Sequence, residues 1–168
     1  FNTKWKDSEI YPPLYDIIER NIAKKVYDSA ILDMYTKEEI EQCDRYIKHS
    51  RDITFTYAGL QQIVDKYLVQ DRSNGEVFET PQFMYMLIAM TLFHKYDEDR
   101  RLDYVKRYYD AISTYKINIP TPIMAGVRTP LRQFASCVLV DSDDSLDSIF
   151  TSDMAIGRYV AQRAGIGI

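Results

Sequence analysis

A chain of 168 residues has the length of one domain, or of one domain with a fragment of another. Its hydrophobic fraction of 46% and charged fraction of 27% are close to the averages of globular proteins, which excludes an intrinsically disordered chain. The formal net charge is −4, and acidic and basic residues are mixed along the whole chain without a basic block. Nucleic acid is therefore not expected as a partner.

The two cysteines, Cys43 and Cys137, are too few for a disulfide scaffold, and no apolar leader opens the sequence. A reducing cytoplasm is therefore the expected compartment. The most apolar window, Phe83 to Phe93, has about half the length that a bilayer span needs, so it predicts a buried helix and no membrane partner.

Helical periodicity dominates the first part of the chain. Apolar residues recur at helical spacing from Leu14 to Val26, after two prolines that a helix accepts only at its start. Thr36-Lys-Glu-Glu39 has the spacing of a capping box and predicts a second helix, with Ile40 and Cys43 on its core side. Cys43 is thus interpreted as a core residue.

The middle of the chain predicts a β-hairpin between helices. Asn74-Gly75 stands between two apolar runs over Tyr67 to Phe78, and Asn-Gly readily takes the positive φ of tight turns. Thr80-Pro81 predicts a helix start, and this helix runs to about Phe93. A further helix is indicated by the apolar positions from Leu102 to about Tyr115.

Three features receive plain structural interpretations. His49 and His94 have no clustered partners of the kind that a metal site needs, so surface or capping roles are expected and no metal is predicted. The charge run from Asp97 to Arg101 is interpreted as a solvated helix start.

The pattern changes at Ile117, so the sequence predicts a boundary near Tyr115, with a helical region over residues 1–115 and a second region over 116–168. Residues 117–123 contain helix-excluding prolines and predict one buried strand, and Ser136 to Val140 predicts another. Asp143-Asp144-Ser145 offers capping oxygens to a following helix, and Gly165 to Ile168 predicts a third strand. Strand, helix and strand at this spacing indicate a parallel sheet.

Only Arg132-Gln-Phe-Ala-Ser-Cys137 and the acidic stretch behind it stand out as a candidate site, and a single strand cysteine can also be a small core hydrophobe. Four consecutive motifs nevertheless resemble the large, catalytic subunit of class I ribonucleotide reductases in order and spacing. Three shorter upstream segments are similar to the same family, so the resemblance covers roughly residues 11 to 168. The four motifs are Ile119 to Pro130, Arg132 to Leu139, Asp144 to Ile149 and Gln162 to Ile168, and the upstream segments are His49 to Asp52, Tyr67 to Gln70 and Tyr104 to Arg107.

The resemblance implies a mixed α/β fold, in which a mostly helical N-terminal region precedes a ten-stranded α/β barrel. This chain is then expected to hold only the opening strands and a crossover helix of that barrel, without the ATP-binding regulatory module of the family. The implied activity is reduction of ribonucleoside diphosphates to deoxyribonucleotides. Another chain is expected to supply the rest of the active site.

The same resemblance implies roles for individual residues. Cys137 is expected to be a redox cysteine, which gives a proton to the departing 2′-hydroxyl and then forms a disulfide with a distant partner. Thr121 and Ser136 match positions that bind the substrate phosphate, and Gly165 matches one whose backbone lies close to the substrate.

Asp144, Ser145 and Leu146 match the edge of a specificity site, where an effector nucleotide binds at a dimer interface; a simple helix cap is the alternative for this segment. The implied partners are the remainder of the large subunit, a second large subunit, and a metal-containing small subunit that supplies the radical. Thioredoxin or glutaredoxin would supply electrons, and the chain itself is expected to bind no cofactor. The alternative function is that of a non-catalytic interaction or nucleotide-binding fragment.

Overall fold

The computed structural model of the protein describes residues 11–162 and 164–168, which form a mostly helical structure with two small sheets. A 3-10 turn (His49–Thr54) and a π-helical turn (Ile63–Tyr67) lie among the α-helices of the first part. The other elements are α1 (Leu14–Ala23), α2 (Ile31–Met34), α3 (Lys37–Tyr46), α4 (Tyr57–Gln62), β1 (Gln70–Asp71), β2 (Glu76–Val77), α5 (Pro81–Phe93), α6 (Glu98–Ser113), α7 (Thr121–Gly126), β3 (Cys137–Leu139), α8 (Leu146–Ala161) and β4 (Gly165–Gly167).

The predicted helices of the first part are confirmed, together with their start signals. At the start of α3, the Thr36 hydroxyl accepts a hydrogen bond from the Glu39 amide at 3.3 Å, and the Glu39 carboxylate accepts one from the Thr36 amide at 2.9 Å. At the start of α5, the Thr80 hydroxyl accepts from the Phe83 amide, and Pro81 occupies the first turn. Each cap satisfies amides that have no partner within the helix.

The core is built around α5, which is buried on every side from Pro81 to Met90. Helix α6 packs along it, α7 and the 3-10 turn also contact it, and the apolar faces of α1 and α3 complete the same core. Cys43 lies in this core with no exposed surface, as expected. Within the described residues, no helix is both long and apolar enough to cross a membrane.

The predicted hairpin is confirmed, with β1 and β2 antiparallel and Gln70 opposite Val77. Four residues, 72–75, connect the two paired strands. Gly75 has a φ of 74°, whereas Asn74 stays outside the left-handed region and its side-chain oxygen accepts a hydrogen bond from the Glu76 amide. The glycine supplies the conformational freedom of the turn, and the asparagine fixes it by a local bond.

The predicted strand over residues 117–123 is wrong, because α7 begins at Thr121. Pro120 precedes the first helical residue, and Pro122 lies in the first turn. The first amides of a helix have no acceptor within it, so a proline there removes no hydrogen bond. The prolines that were taken to exclude a helix therefore mark its start.

The other part of the predicted parallel sheet is confirmed, since β3 and β4 pair in parallel with Cys137 opposite Gly165. Helix α8 connects them, and the Ser145 hydroxyl caps it by accepting from the Ser148 amide. The expectation that β3 is buried is wrong for this chain, because Cys137 and Leu139 are exposed. A two-stranded sheet has few neighbours to cover its faces.

Two of the plain interpretations also need correction. The charge run is the exposed start of α6 from Asp97 to Arg100, as predicted, but Arg101 is only 8% exposed and makes a two-point ion pair with Glu39, at 2.8 and 2.6 Å. His49 lies neither on the open surface nor at a cap, because its ring stacks on Tyr11 and meets the edge of Phe83. Burial lowers the pKa of His49 to about 4, so the ring is neutral.

A fully buried ion pair joins Arg128, after α7, to Glu79, before α5. The Tyr27 hydroxyl donates to the same carboxylate, and the Val69 amide donates to it at 2.7 Å. Burial alone would lower the pKa of Arg128, but the charge of Glu79 and its hydrogen bonds outweigh burial and raise it. Arg128 therefore stays charged beside Glu79, and their contacts connect four segments of the chain.

Loss of one partner of this pair is predicted to be strongly destabilising. Glu79→Ala leaves a charged guanidinium without its partner in the core, so the free energy of unfolding should fall by about 3–5 kcal/mol. Asp103→Ala is the control, because it removes an exposed ion pair with Arg107 and should cost within about 1 kcal/mol. Urea unfolding of both variants measures the difference, and equal losses would contradict the importance of the buried pair.

A partly buried acidic residue, Asp52, lies in the 3-10 turn and contacts α5. Its carboxylate accepts a hydrogen bond from the Gln82 side chain at 2.7 Å, and Tyr109 donates to the carbonyl oxygen of the same amide. Burial raises the pKa of Asp52 to about 6, although the bond from Gln82 acts in the opposite direction. The folded protein therefore binds a proton at Asp52 more tightly than the unfolded chain does.

This difference predicts a pH dependence of stability. The contribution of Asp52 is fully present below about pH 4, where both states are protonated, and is lost as the pH rises through about 6. Asp52→Asn should remove that loss and raise the free energy of unfolding at pH 7 by about 1–3 kcal/mol relative to the wild type. Denaturation of both proteins from pH 4 to pH 8 tests this, and parallel curves would contradict it.

Candidate functional site

Two of the predicted substrate residues, Thr121 and Ser136, line one cleft of about 370 Å³. Thr121 is the first residue of α7, and Ser136 directly precedes β3. Lys66, Arg72 and Asp65 line the same cleft. The Thr121–Ser136 cleft thus combines two hydroxyl donors with an excess of positive charge, which suits a phosphate group.

Gly165 adjoins this cleft through the backbone of Ser136. Its amide donates a hydrogen bond to the Ser136 carbonyl oxygen at 3.0 Å. A Cβ atom at Gly165 would stand 3.2 Å from that oxygen, which is closer than most side chains approach. The glycine therefore permits the close pairing of β4 with the segment that carries Ser136.

Cys137 is an exposed free thiol at the start of β3, beside Ser136 in sequence and opposite Gly165 in the sheet. In the described part of the chain, its side chain does not line the Thr121–Ser136 cleft. The other cysteine, Cys43, is sealed in the helical core, where burial raises the pKa of its thiol to about 12. Only Cys137 is therefore open to a substrate, a reductant or a second thiol.

The three predicted effector residues follow β3 and lie at the start of α8. Ser145 is the helix cap, so the capping role belongs to Ser145 rather than to Asp144. Asp144 is exposed, and Leu146 has 70% of its surface open. None of the three lines the Thr121–Ser136 cleft as far as the structure describes it. The structure therefore places the two sets of predicted site residues apart.

Sequence reasoning assigned no role to Tyr67, although the residue lies in a motif that carries the resemblance. Its hydroxyl oxygen is 3.2 Å from the Thr121 hydroxyl oxygen, and its carbonyl accepts a hydrogen bond from Arg128 at 2.8 Å. Periodicity could not reveal this contact, because the two side chains are 54 positions apart.

Among the described residues, no group of three or more histidine, cysteine, aspartate or glutamate side chains could hold a metal ion. Arg163, part of the last motif, lies outside the described residues. The candidate site of this chain thus offers hydroxyls, one thiol, backbone groups, two cationic residues and the carboxylates of Asp65 and Asp144.

Comparison with known proteins shows the family of the chain. A family model for the all-alpha domain of ribonucleotide reductase matches residues 53–132. The alpha subunit of the ribonucleoside-diphosphate reductase of Haemophilus influenzae is 57% identical over 157 residues, which are 94% of this chain and 21% of the relative. The alpha subunit of ribonucleoside-diphosphate reductase 1 of Escherichia coli is 55% identical over the same shares of both chains. The alpha subunit of the ribonucleoside-diphosphate reductase of Enterobacteria phage T4 is 50% identical over 84% of this chain and 19% of the relative.

The helical core around residues 53–132 is thus that of a ribonucleotide reductase large subunit. The chain belongs to the family of ribonucleoside-diphosphate reductase alpha subunits, and it spans about a fifth of the length of the relatives that it matches.

The different environments of the two cysteines predict their reactivity. In the native chain at pH 8, an aromatic disulfide that releases a coloured thiolate should react rapidly with the exposed Cys137 thiol only, because Cys43 is buried and its pKa is about 12. The second equivalent should react only in denaturant. Cys137→Ser should abolish the rapid phase and Cys43→Ser should keep it, and the opposite pattern would contradict the exposures given above.

Proposed function

We propose that this chain forms part of the substrate site and of the effector site of a class I ribonucleoside-diphosphate reductase. The enzyme would reduce ribonucleoside diphosphates to deoxyribonucleoside diphosphates by radical chemistry. The observation that carries the proposal is the cleft that Thr121 and Ser136 both line, with the exposed thiol of Cys137 directly after Ser136 in the chain. The two hydroxyls supply hydrogen-bond donors for a phosphate, and the thiol supplies a reductant.

Cys137 would act first as a proton donor and then as one half of a dithiol reductant. Oxidation of two thiols to one disulfide releases two electrons and two protons. Replacement of a ribose hydroxyl by hydrogen, with the oxygen leaving as water, consumes the same number of each. Because Cys43 is sealed in the core, the partner thiol of Cys137 would come from outside these 168 residues.

Thr121 and Ser136 would bind the substrate phosphate through their hydroxyls. Phosphate oxygens only accept hydrogen bonds, so each hydroxyl must point its hydrogen into the cleft. The Lys66 and Arg72 side chains at the same cleft favour an anion there. Gly165 has no side chain, so its backbone would pass close to the substrate. The absence of a Cβ atom already permits its close approach to the Ser136 carbonyl oxygen.

Asp144, Ser145 and Leu146 would contact the effector nucleotide at the specificity site. Ser145 already accepts the capping bond of α8, which leaves its hydroxyl hydrogen free to donate. The exposed Asp144 carboxylate would accept hydrogen bonds from sugar hydroxyls, and the exposed Leu146 side chain offers apolar contact area.

The exposed apolar surface of α8 supports the proposed partners. Large apolar residues along this helix stay open to solvent, and burial against other protein would stabilise them. We assign that surface to the remainder of the large subunit, in which β3 and β4 would open a ten-stranded α/β barrel, and to a second large subunit. The metal-containing small subunit would supply the radical, and thioredoxin or glutaredoxin the electrons. The exposed apolar residues of α8 are Leu146, Ile149, Phe150, Met154, Tyr159 and Val160.

The replacement Cys137→Ser tests the proposal in the complete reductase, reconstituted from full-length large and small subunits. The variant should fold and bind substrate nearly normally, because serine keeps the size of the exposed side chain. It should lose multiple-turnover formation of deoxyribonucleotide, since a hydroxyl can neither form the disulfide nor supply its electrons. Activity, folded fraction and thiol count after a single turnover would be measured on one sample.

Cys43→Ser is the matched control for this experiment. It introduces a hydroxyl into the core, so it should lower the free energy of unfolding by about 1–3 kcal/mol and keep activity in proportion to the folded fraction. Wild-type multiple turnover by Cys137→Ser would refute the redox role. If the assembled wild-type protein bound nucleotide without any turnover, the result would favour the alternative of a non-catalytic nucleotide-binding fragment.

A further inference from the structure

We infer that Tyr67 is a positioning residue that turns the Thr121 hydroxyl toward the phosphate of the substrate. The inference rests on the proposed function, because it takes Thr121 as a phosphate ligand. It adds a residue that touches Thr121 but does not line the Thr121–Ser136 cleft.

The backbone of Tyr67 is held firmly. Tyr67 is the last residue of the π-helical turn, a form that accommodates one extra residue in a helix and thereby shifts the side chains after it. Its carbonyl oxygen accepts a hydrogen bond from the Arg128 guanidinium at 2.8 Å. Arg128 is itself fully buried and ion-paired with Glu79, so the anchor of Tyr67 belongs to the most constrained part of the core.

The hydroxyl of Tyr67 lies between two polar groups. The Gln62 side-chain amide donates to it at 3.5 Å, and the Thr121 hydroxyl oxygen lies 3.2 Å away. A phenol is a stronger hydrogen-bond donor than an aliphatic alcohol, because it is the more acidic of the two. Tyr67 therefore accepts from Gln62 and donates to Thr121.

This direction determines what Thr121 can do. Its oxygen accepts the bond from Tyr67, so its own hydrogen remains free for the Thr121–Ser136 cleft. Phosphate oxygens accept hydrogen bonds and offer none, so a phosphate ligand must present a hydrogen. Without the Tyr67 hydroxyl, the hydrogen of Thr121 could rotate to other acceptors, and substrate binding would weaken.

Removal of the Tyr67 hydroxyl should leave the packing of its ring intact. The ring lines a separate, largely apolar cavity of about 510 Å³, together with Tyr85 and Tyr115. Phenylalanine at position 67 keeps these contacts and the backbone bond to Arg128. The substitution therefore separates orientation of Thr121 from the stability of the fold.

The test uses the complete reductase, with full-length large and small subunits, and measures kcat and KM for a ribonucleoside diphosphate. Tyr67→Phe and Thr121→Val should each raise KM by about threefold to tenfold, the effect of one hydrogen bond, with kcat within about twofold of the wild type. The double variant Tyr67→Phe/Thr121→Val should have the KM of Thr121→Val alone. In a Thr121→Ser background, which keeps the hydroxyl, Tyr67→Phe should raise KM again.

Tyr35→Phe is the control for a purely structural tyrosine, because its hydroxyl donates to the Met90 carbonyl in the core at 2.9 Å. It should lower thermal stability and leave KM unchanged. An unchanged KM for Thr121→Val would overturn the proposed phosphate site itself. A raised KM for Thr121→Val with no effect of Tyr67→Phe, or with effects that multiply in the double variant, would overturn the positioning role only.

Discussion

The buried ion pair between Arg128 and Glu79 is the constraint on which the arrangement of this chain depends. Two charges leave water here, so the structure must satisfy every remaining donor and acceptor of both groups. The Tyr27 hydroxyl and the Val69 amide donate to Glu79, and the backbone carbonyls of Met124 and Tyr67 accept from Arg128. The pair therefore fixes the ends of α5 and α7 against the link after α1 and against the hairpin.

The same network reaches the candidate site through Tyr67. Arg128 holds the carbonyl of Tyr67, the Tyr67 hydroxyl meets Thr121, and Thr121 lines the cleft that also contains Ser136. Rigid support of this kind is what a binding residue needs, because a hydroxyl that is free to rotate loses affinity when it is ordered. Stability and the proposed phosphate recognition thus share residues in this protein.

What the sequence could predict depended on how local the signal was. The capping box at Thr36 and Glu39 and the helix start at Thr80 are contacts within three residues, and both predictions are confirmed. The prolines of residues 117–123 are equally local but ambiguous, since proline suits a first helical turn as well as an extended segment. Long-range contacts gave no pattern to read, so the burial of Arg101 against Glu39 and the Tyr67 contact with Thr121 could not be foreseen. The roles of Cys137 and of the effector residues stay predictions.

The two sides of the proposed substrate site differ in how well this chain alone can stabilise them. Thr121 belongs to α7, which packs on the sealed core around α5. Cys137 and Gly165 belong to a two-stranded sheet, and Ser136 directly precedes it. The helix that connects the two strands leaves large apolar side chains exposed. Sheets of two strands are marginal without further strands or covering helices. Contacts beyond these residues would therefore set the distance across the Thr121–Ser136 cleft, and with it the fit of the phosphate, far more than they would alter the helical core.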